Sequence, residues 1–478
     1  MKMLKPSMTT NPPQSALTIV KRLQEAGHQA VFAGGCVRDA LLGRKPKDWD
    51  VATSAHPDEI EALFAQTYDV GRQFGIIVVV LDGMEYEVAT FRGDGAYSDG
   101  RRPDSIQFVS MREDVLRRDF TINALLYDPI LGKLHDFVHG QEDMQNRILR
   151  TVGEPERRFE EDKLRLLRAI RFTANLDFTM EDATWNAVCN SAANIKMVSQ
   201  ERIFAELDRM LTEGHSMRAF DLLKKSGLLA FVLPELDVMA GVPQPPQFHP
   251  EGDVWQHTLK ILDGFDKSLA DGRFNHFAEK ELRQLAWAVL LHDIGKPPTF
   301  ADDGEKIRFY GHDTRGAEMS RAVLQRLRTS TELMDVVAYL VAEHMVLPAF
   351  PEMRQATRFR RMGHPAFPLL LELFRLDCEA SFGDTALYYE IKDNAFAEYL
   401  RQPQPMKPPV SGHDLIAMGF KPGPLFSKII HDATDANLEH PFASHESALQ
   451  WVKDHFEIPR MADKSVGNFN NNNSKEKK

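Results

Sequence analysis

Gly34 and Gly35, followed by Arg38 and then by Asp48 and Asp50 two positions apart, are the first residues whose types and spacing could do chemistry together. Paired glycines after a predicted strand remove side chains, so backbone amides opening a helix can approach phosphate, with Arg38 adding charge one turn on. On a strand, residues two apart face the same way, so Asp48 and Asp50 can present converging carboxylates to divalent cations. Glu87, within EYEVATF, is the preferred third ligand, and Glu85 on the same strand face is its rival. Two ions held this way would let one activate an attacking hydroxyl and the other neutralise a leaving pyrophosphate, with no protein nucleophile. Taken singly, the glycines and aspartates read as capping and turn residues. Their combination carries the inference.

The elements that must position these residues are legible as alternation. Strands are predicted at 30–33, 48–53, 75–81 and 85–91, interleaved with helical patterns, and Asp82-Gly83 has the chemistry of a tight hairpin turn. From about residue 151 a 3.6-residue apolar period takes over, as in DKLRLLRAIRF. Proline-rich stretches at 241–250 and 401–412 suggest boundaries. The expected organisation is an arm without structure (1–15), an α+β head (16–150), a helical neck (151–240), a further helical domain (241–400), a helical tail (401–463) and a disordered end (464–478), rich in asparagine and lysine.

A chain of 478 residues with 27% charged and 43% hydrophobic residues is an ordinary multidomain globular protein. No uninterrupted apolar run, Gly75 to Leu81 included, approaches the ~20 residues that span a bilayer. No secretory signal is predicted, and three scattered cysteines, Cys36, Cys189 and Cys378, make neither a disulfide framework nor a thiolate cage. A cytoplasmic protein without membrane contact is expected. The net charge of -11 argues against a protein that coats nucleic acid, yet residues 157–171 hold six basic side chains against three acidic ones. By charge alone that run is a solvated helix face.

The stretches GGCVRDALLG, KDWDV, EVATFRGDGAYSDGRRPD, RRDFTINAL and EDKLRLLRAIRF together resemble the class II family of CCA-adding enzymes and poly(A) polymerases, over about residues 28 to 235. The resemblance implies a DNA polymerase β-like mixed-sheet head with Mg²⁺ on Asp48 and Asp50. It also implies that Gly35, Arg38 and Arg118 contact the incoming nucleotide. Arg117 and Asp119 flank that position, and either could instead belong to a structural ion pair. In similar enzymes the Asp and Arg of the EDxxR pattern, here Asp162 and Arg165, pair with the base, and later arginines, here Arg168 and Arg171, bind phosphate. On a continuous helix these four share one face at intervals of three, and a salt bridge from Asp162 to Arg165 is the plain alternative. The polar, glycine-rich loop at 92–104 resembles one that switches such enzymes from adding C to adding A.

A second constellation, His257, His292, Asp293, His312, His344 and Asp377, is similar to an HD phosphohydrolase domain, with Lys296 following in LLHDIGKP and His249, in the entry segment QFHPEGDVWQHTL, a further candidate member of the site. The resemblance implies a bound divalent ion, a transition metal or Mg²⁺, since imidazole with carboxylate suits borderline or hard cations. His312 is expected in a loop. Such an ion would supply hydroxide for hydrolysis of a phosphate ester such as a 2′,3′-cyclic phosphate. Residues 411–424, SGHDLIAMGFKPGP, resemble a segment after the HD domain in bacterial members, with RNA holding and plain packing both open. The activity implied is addition of CCA to transfer RNA from CTP and ATP. The alternatives are poly(A) or A-only addition, and an HD hydrolase whose head only binds RNA. The oligomeric state is not legible.

Overall fold

The computed structural model describes residues 10–94, 106–245, 250, 252–381, 383–401 and 407–457. His249 and most of the 92–104 loop lie outside them, as does the asparagine-rich end. The strands of the head are β1 (Ala30–Ala33), β2 (Val51–Thr53), β3 (Thr67–Gly71), β4 (Ile76–Leu81), β5 (Met84–Thr90), β6 (Arg92–Asp94), β7 (Ile106–Phe108), β8 (Leu126–Asp128) and β9 (Lys133–His135). Seven of them form one mixed sheet in the order β3-β4-β5-β2-β1-β8-β9, and β6 pairs with β7 separately. Within the seven-stranded sheet β2 and β5 run parallel and the other ladders are antiparallel. The turn between β4 and β5 is the expected two-residue hairpin, with positive φ at both Asp82 (53°) and Gly83 (74°) and Leu81 facing Met84.

Three local expectations are corrected. The predicted strand 48–53 is a ladder only from Val51, because β1 ends at Ala33, where the chain turns into a helix at Gly34. Asp50 keeps one bond across, its carbonyl accepting from the Ala33 amide at 3.0 Å. The arm expected over 1–15 gives way to helix at Gln14, since Ser15 is buried and its hydroxyl bonds to Tyr86 at 2.6 Å. In the neck, Asp162 stands between the helices Pro155–Glu161 and Arg165–Leu176 in an extended conformation, φ -141°. Its carboxylate accepts from the Leu164 amide at 3.1 Å, which starts the second helix anew.

The neck and the following helices pack into the same compact unit as the head, which runs to His344 and returns over Arg375–Gly383. Helices Gln200–Thr212, Ser216–Lys225, Val254–Ala270 and Glu279–Leu291 belong to it. A second unit holds Met345–Phe374 and the chain from Asp384 onward. There Val410, Leu415, Phe420, Ile429, Ala433, Ala448 and Val452 make a small core, so Leu415 and Phe420 of the 411–424 segment are packing residues. Among the described residues no helix is long and apolar enough to cross a membrane.

Candidate active site and metal centre

The end of β2 opens on a cleft of about 1240 Å³ lined by ten Lys or Arg and eight Asp or Glu side chains, a basic surface on an acidic chain. Trp49 is buried edge-on against Phe32, with ring centres 4.9 Å apart, and its two neighbours, Asp48 and Asp50, line the cleft. Because β2 and β5 run parallel with Val51 opposite Val88, Asp50 and Glu87 lie side by side one step earlier. Glu87 lines the cleft, and Glu85 sits two residues further from it on the strand. Burial, then the charges of Asp48 and Glu87, push the Asp50 carboxyl up to about 7, with Arg118 opposing them. A carboxylate so crowded gains from a cation, which is the fit expected of a divalent ion site.

Gly34 has φ 76° and ψ -130°, a conformation glycine alone adopts readily, and a Cβ there would stand 3.3 Å from Arg118 Nη1. The helix Gly35–Leu41 that follows buries Cys36, Val37 and Ala40 and carries Arg38 at the cleft. Arg38 donates to Asn123 at 2.6 Å and to Asp39 at 2.8 Å. Burial, then Asp50, pushes the Cys36 thiol up to about 12, which suits a packing role.

The arginines singled out in the sequence converge here, each held by a carboxylate. Arg117 and Arg118 both donate to the buried Asp114, and Asp119 accepts from Arg168 at 2.7 and 2.8 Å. The flanking pair Arg117 and Asp119 therefore turn to other partners. Arg165 donates to Glu161 at 3.0 Å and to the carbonyls of Arg158 and Arg117 at 3.1 Å. Arg171 donates to the buried Glu206 at 2.6 Å. The salt bridge considered between Asp162 and Arg165 gives way to one from Arg202, whose Nη2 reaches both Asp162 oxygens at 3.0 and 3.1 Å. Phe172 lies under three guanidinium groups, with Arg171, Arg38 and Arg168 at 4.3, 5.0 and 5.1 Å from its ring centre. Sequence reasoning missed Asn123, Phe172, Arg202 and Glu206. The first two stood inside quoted motifs, and the others come from a helix forty residues on, which nothing in the spacing announces.

A second centre lies in the same compact unit, built on helices whose ends meet. His257 is inside Val254–Ala270, His292 follows Glu279–Leu291, His344 follows Thr331–Glu343, Asp377 is in Phe367–Ala380, and His312 opens His312–Arg326 rather than lying in a loop. His257, His292 and Asp377 bring their ligand atoms within 4.8 Å of one another, and so do Asp293, His312 and His344. The Nδ1 atoms of His292, His312 and His344 lie 2.9, 2.8 and 2.6 Å from the carbonyls of Val289, Phe309 and Val341, which fixes each ring and directs Nε2 inward. His292 Nε2 is buried with no hydrogen-bond partner. Burial and then the neighbouring His292 hold the His344 imidazole down at about 4, so it is neutral at pH 7. Burial opposes the charge of Asp293, but His292 and Lys296 hold its carboxyl well below the usual range; Lys296 Nζ is 2.8 Å from Oδ2. A neutral His344 imidazole, an ionised Asp293 carboxylate and an orphaned Nε2 fit a divalent metal.

Three family descriptions match in order: "Poly A polymerase head domain" over residues 30–150, "Probable RNA and SrmB- binding site of polymerase A" over 177–239, and "HD domain" over 254–358. A CCA-adding enzyme of Geobacillus stearothermophilus is 46% identical over 285 residues, covering 59% of this chain and 64% of that one. One from Geobacillus sp. (strain WCH70) is 47% identical over 222 residues, covering 46% and 55%. The chain thus spans between half and two thirds of these relatives' length. Among solved structures, the Bacillus stearothermophilus CCA-adding enzyme in complex with CTP aligns at TM-score 0.69 and 29% identity over 93% of this chain and 98% of that one. The Thermotoga maritima CCA-adding enzyme complexed with tRNA_CCA shares the fold at TM-score 0.56, with 18% identity over 92% and 95%. With the ordered motifs, the mixed-sheet head and the helical remainder, these matches show a poly(A) polymerase-type head domain, an RNA-binding segment and an HD domain in one chain, which is similar in sequence and fold to CCA-adding enzymes.

Proposed function

We propose that this protein adds CCA to the 3′ end of transfer RNA, taking CTP and ATP as substrates. The observation that carries the reading is that Asp48, Asp50 and Glu87 line one cleft together with Arg38, Arg118, Arg165, Arg168 and Arg171. Mg²⁺ held by Asp48 and Asp50 would supply charge stabilisation at the reacting phosphate and lower the pKa of the attacking hydroxyl. The chain's own residues do the rest. Gly34 and Gly35 leave backbone open to the triphosphate, and Arg38 and Arg118 meet its phosphates. Arg168 and Arg171 are already neutralised by Asp119 and Glu206, so they share rather than surrender those partners when phosphate binds. Asp162 and Arg165, at a helix start rather than on one helix face, offer an acceptor and a donor to a base edge. The RNA 3′ oxygen then attacks the α-phosphorus in line and pyrophosphate leaves. At the second centre, His257, His292, Asp293 and Asp377, with His312 and His344, would hold a divalent metal that supplies hydroxide for hydrolysis of a phosphate ester.

The test is incubation with Mg²⁺ and transfer RNAs ending before CCA, after C and after CC, with CTP and ATP singly and together. Stepwise completion to CCA is expected. Long A tracts would mark a poly(A) polymerase, and no incorporation at all would leave an HD hydrolase with an RNA-binding head. The Asp48→Ala/Asp50→Ala variant should lose incorporation and keep ester hydrolysis; loss of both would defeat the assignment of two independent sites.

A further inference from the structure

Arg38, Arg168 and Arg171 come from two helices, Gly35–Leu41 and Arg165–Leu176, yet their guanidinium groups gather round one ring. Arg171, Arg38 and Arg168 stand 4.3, 5.0 and 5.1 Å from the centre of Phe172. The ring lines the cleft but is only 7% exposed, so it offers a substrate little surface of its own. Phe120 meets it edge-on at 5.8 Å and steadies its orientation. Residues next to each other on a helix point ~100° apart and do not face each other. The contact between Arg171 and its neighbour Phe172 therefore requires the arginine to fold back over the ring.

Three like charges this close repel, and each needs a reason to stay. Carboxylates supply part of it. Asp119 accepts from Nε and Nη2 of Arg168, Glu206 from Nε of Arg171, and Asp39 from Nε of Arg38. A guanidinium bonded along one edge to a carboxylate oxygen can still swing about that oxygen, and the swing changes where its other donors point. Those donors are the ones a ligand would use. Nη1 of Arg168 stands 4.0 Å from Glu206 Oε1, and Nη1 of Arg171 stands 3.9 Å from Glu213 Oε2, both beyond hydrogen-bond reach. The negative face of an aromatic ring attracts a guanidinium laid against it and takes away that swing.

We infer that Phe172 is a positioning residue for the triphosphate: its ring holds Arg38, Arg168 and Arg171 in the arrangement that phosphate meets, before phosphate arrives. The inference rests on the reading of this cleft as a nucleotide site and deepens it. Carboxylates fix one edge of each guanidinium and the ring fixes its tilt, so little side-chain freedom is left to lose when the ligand binds. An aliphatic side chain of similar size would fill the space and supply no such field.

The experiment alters the field without altering the shape. Phenylalanines bearing one, two and three fluorines, which drain the ring's negative face stepwise, are placed at position 172 of the full chain. Binding of CTP and of inorganic pyrophosphate in the presence of Mg²⁺ is measured by calorimetry, alongside KM, kcat and the melting temperature. Both ligands should bind more weakly at each step, reaching about 10-fold in Kd with three fluorines, while KM rises in parallel and kcat stays within about twofold. The melting temperature should hold through the series, and Phe172→Leu should show the same loss of affinity. The same fluorinated series at Phe120 should leave both affinities unchanged. Equal weakening from position 120 would assign the effect to ring packing and overturn the inference, as would a flat response at 172. If the unaltered protein binds neither ligand, the nucleotide reading of the cleft falls and this inference with it; if it binds both and the series is flat, only this inference falls.

Discussion

Asp119 is nine-tenths buried beneath Arg168, and burial alone would raise its carboxyl, yet Arg168 and then Arg165 hold it down at about 2. Its folded value lies below the unfolded one near 3.8, so the native state binds fewer protons and the pairing stabilises the fold above that unfolded value. The contribution, about 2 kcal/mol at pH 7, is lost as pH falls through 4 toward 2. Asp119→Asn should therefore lower the urea-unfolding free energy at pH 7, and the gap to the unaltered protein should narrow by about 1 kcal/mol at pH 3. A gap that stays constant over that range would show that the carboxylate charge is not what Arg168 needs. The rivalry between Glu87 and Glu85 is tested at the same scale. Glu87→Ala should cut incorporation by about 10- to 100-fold, whereas Glu85→Ala, outside the cleft lining, should leave the rate within about twofold. Equal losses from both would return the third carboxylate to an open question.

At the scale of elements, Gly295 joins the turn that presents His292 and Asp293 to the helix that opens with His312. Its φ of -80° is ordinary, so conformation does not require glycine there; space does. A Cβ at Gly295 would stand 2.1 Å from the His312 carbonyl oxygen and 2.7 Å from the Gly316 amide nitrogen. Gly295→Ala should cost about 1–3 kcal/mol or more and should weaken metal retention, because two of the ligand-bearing elements must part. Gly304→Ala, at φ 85° with open space around it, is the control and should cost about 1 kcal/mol with full metal retention. Were both variants to keep their metal equally, close approach would not be what holds the centre together. What could be read in the sequence follows from the range of the forces involved. The hairpin at Asp82-Gly83, the alternation that sets Asp48 and Asp50 against Trp49, and the order of the histidines are local patterns. The break at Asp162 was hidden, because EDKLRLL has unbroken helical propensity, and its carboxylate is turned by Arg202 from forty residues away. The short strands Thr67–Gly71, Leu126–Asp128 and Lys133–His135 were missed for a related reason: three to five residues carry too little pattern, and their ladders form only once distant neighbours arrive.

For the larger of the two compact units, the question is whether the nucleotidyl-transfer part can stand without the HD helices. Two buried contacts argue that it loses stability without them. Asp208, on the same helix as Arg202 and Glu206, accepts from Arg283 at 2.9 and 3.0 Å and from the Trp287 indole at 3.1 Å, and Phe204 stacks on Trp287 at 5.4 Å. Asp266, from the helix Val254–Ala270, accepts from the Ser216 hydroxyl at 2.8 Å and the Met217 amide at 3.0 Å, serving as a borrowed cap for the helix Ser216–Lys225. A chain ending at residue 240 loses both sets of partners, leaves Asp208 and Phe204 facing water, and frees the first turn of a neck helix. Each lost buried group costs about 1–3 kcal/mol, and for a piece of this size each kilocalorie lowers the melting temperature by about 2–4 °C. The truncated chain should melt about 5–15 °C below the full one, and in the full chain Asp208→Ala and Asp266→Ala should each reproduce part of the drop. Because Asp208 shares a helix with the residues that hold Asp162 and Arg171, its loss should also raise the KM for CTP more than it lowers kcat. A truncated chain that melts with the full one and keeps its KM would mean that these contacts only touch, and that the helix carrying Arg202 and Glu206 is held in place by the head alone.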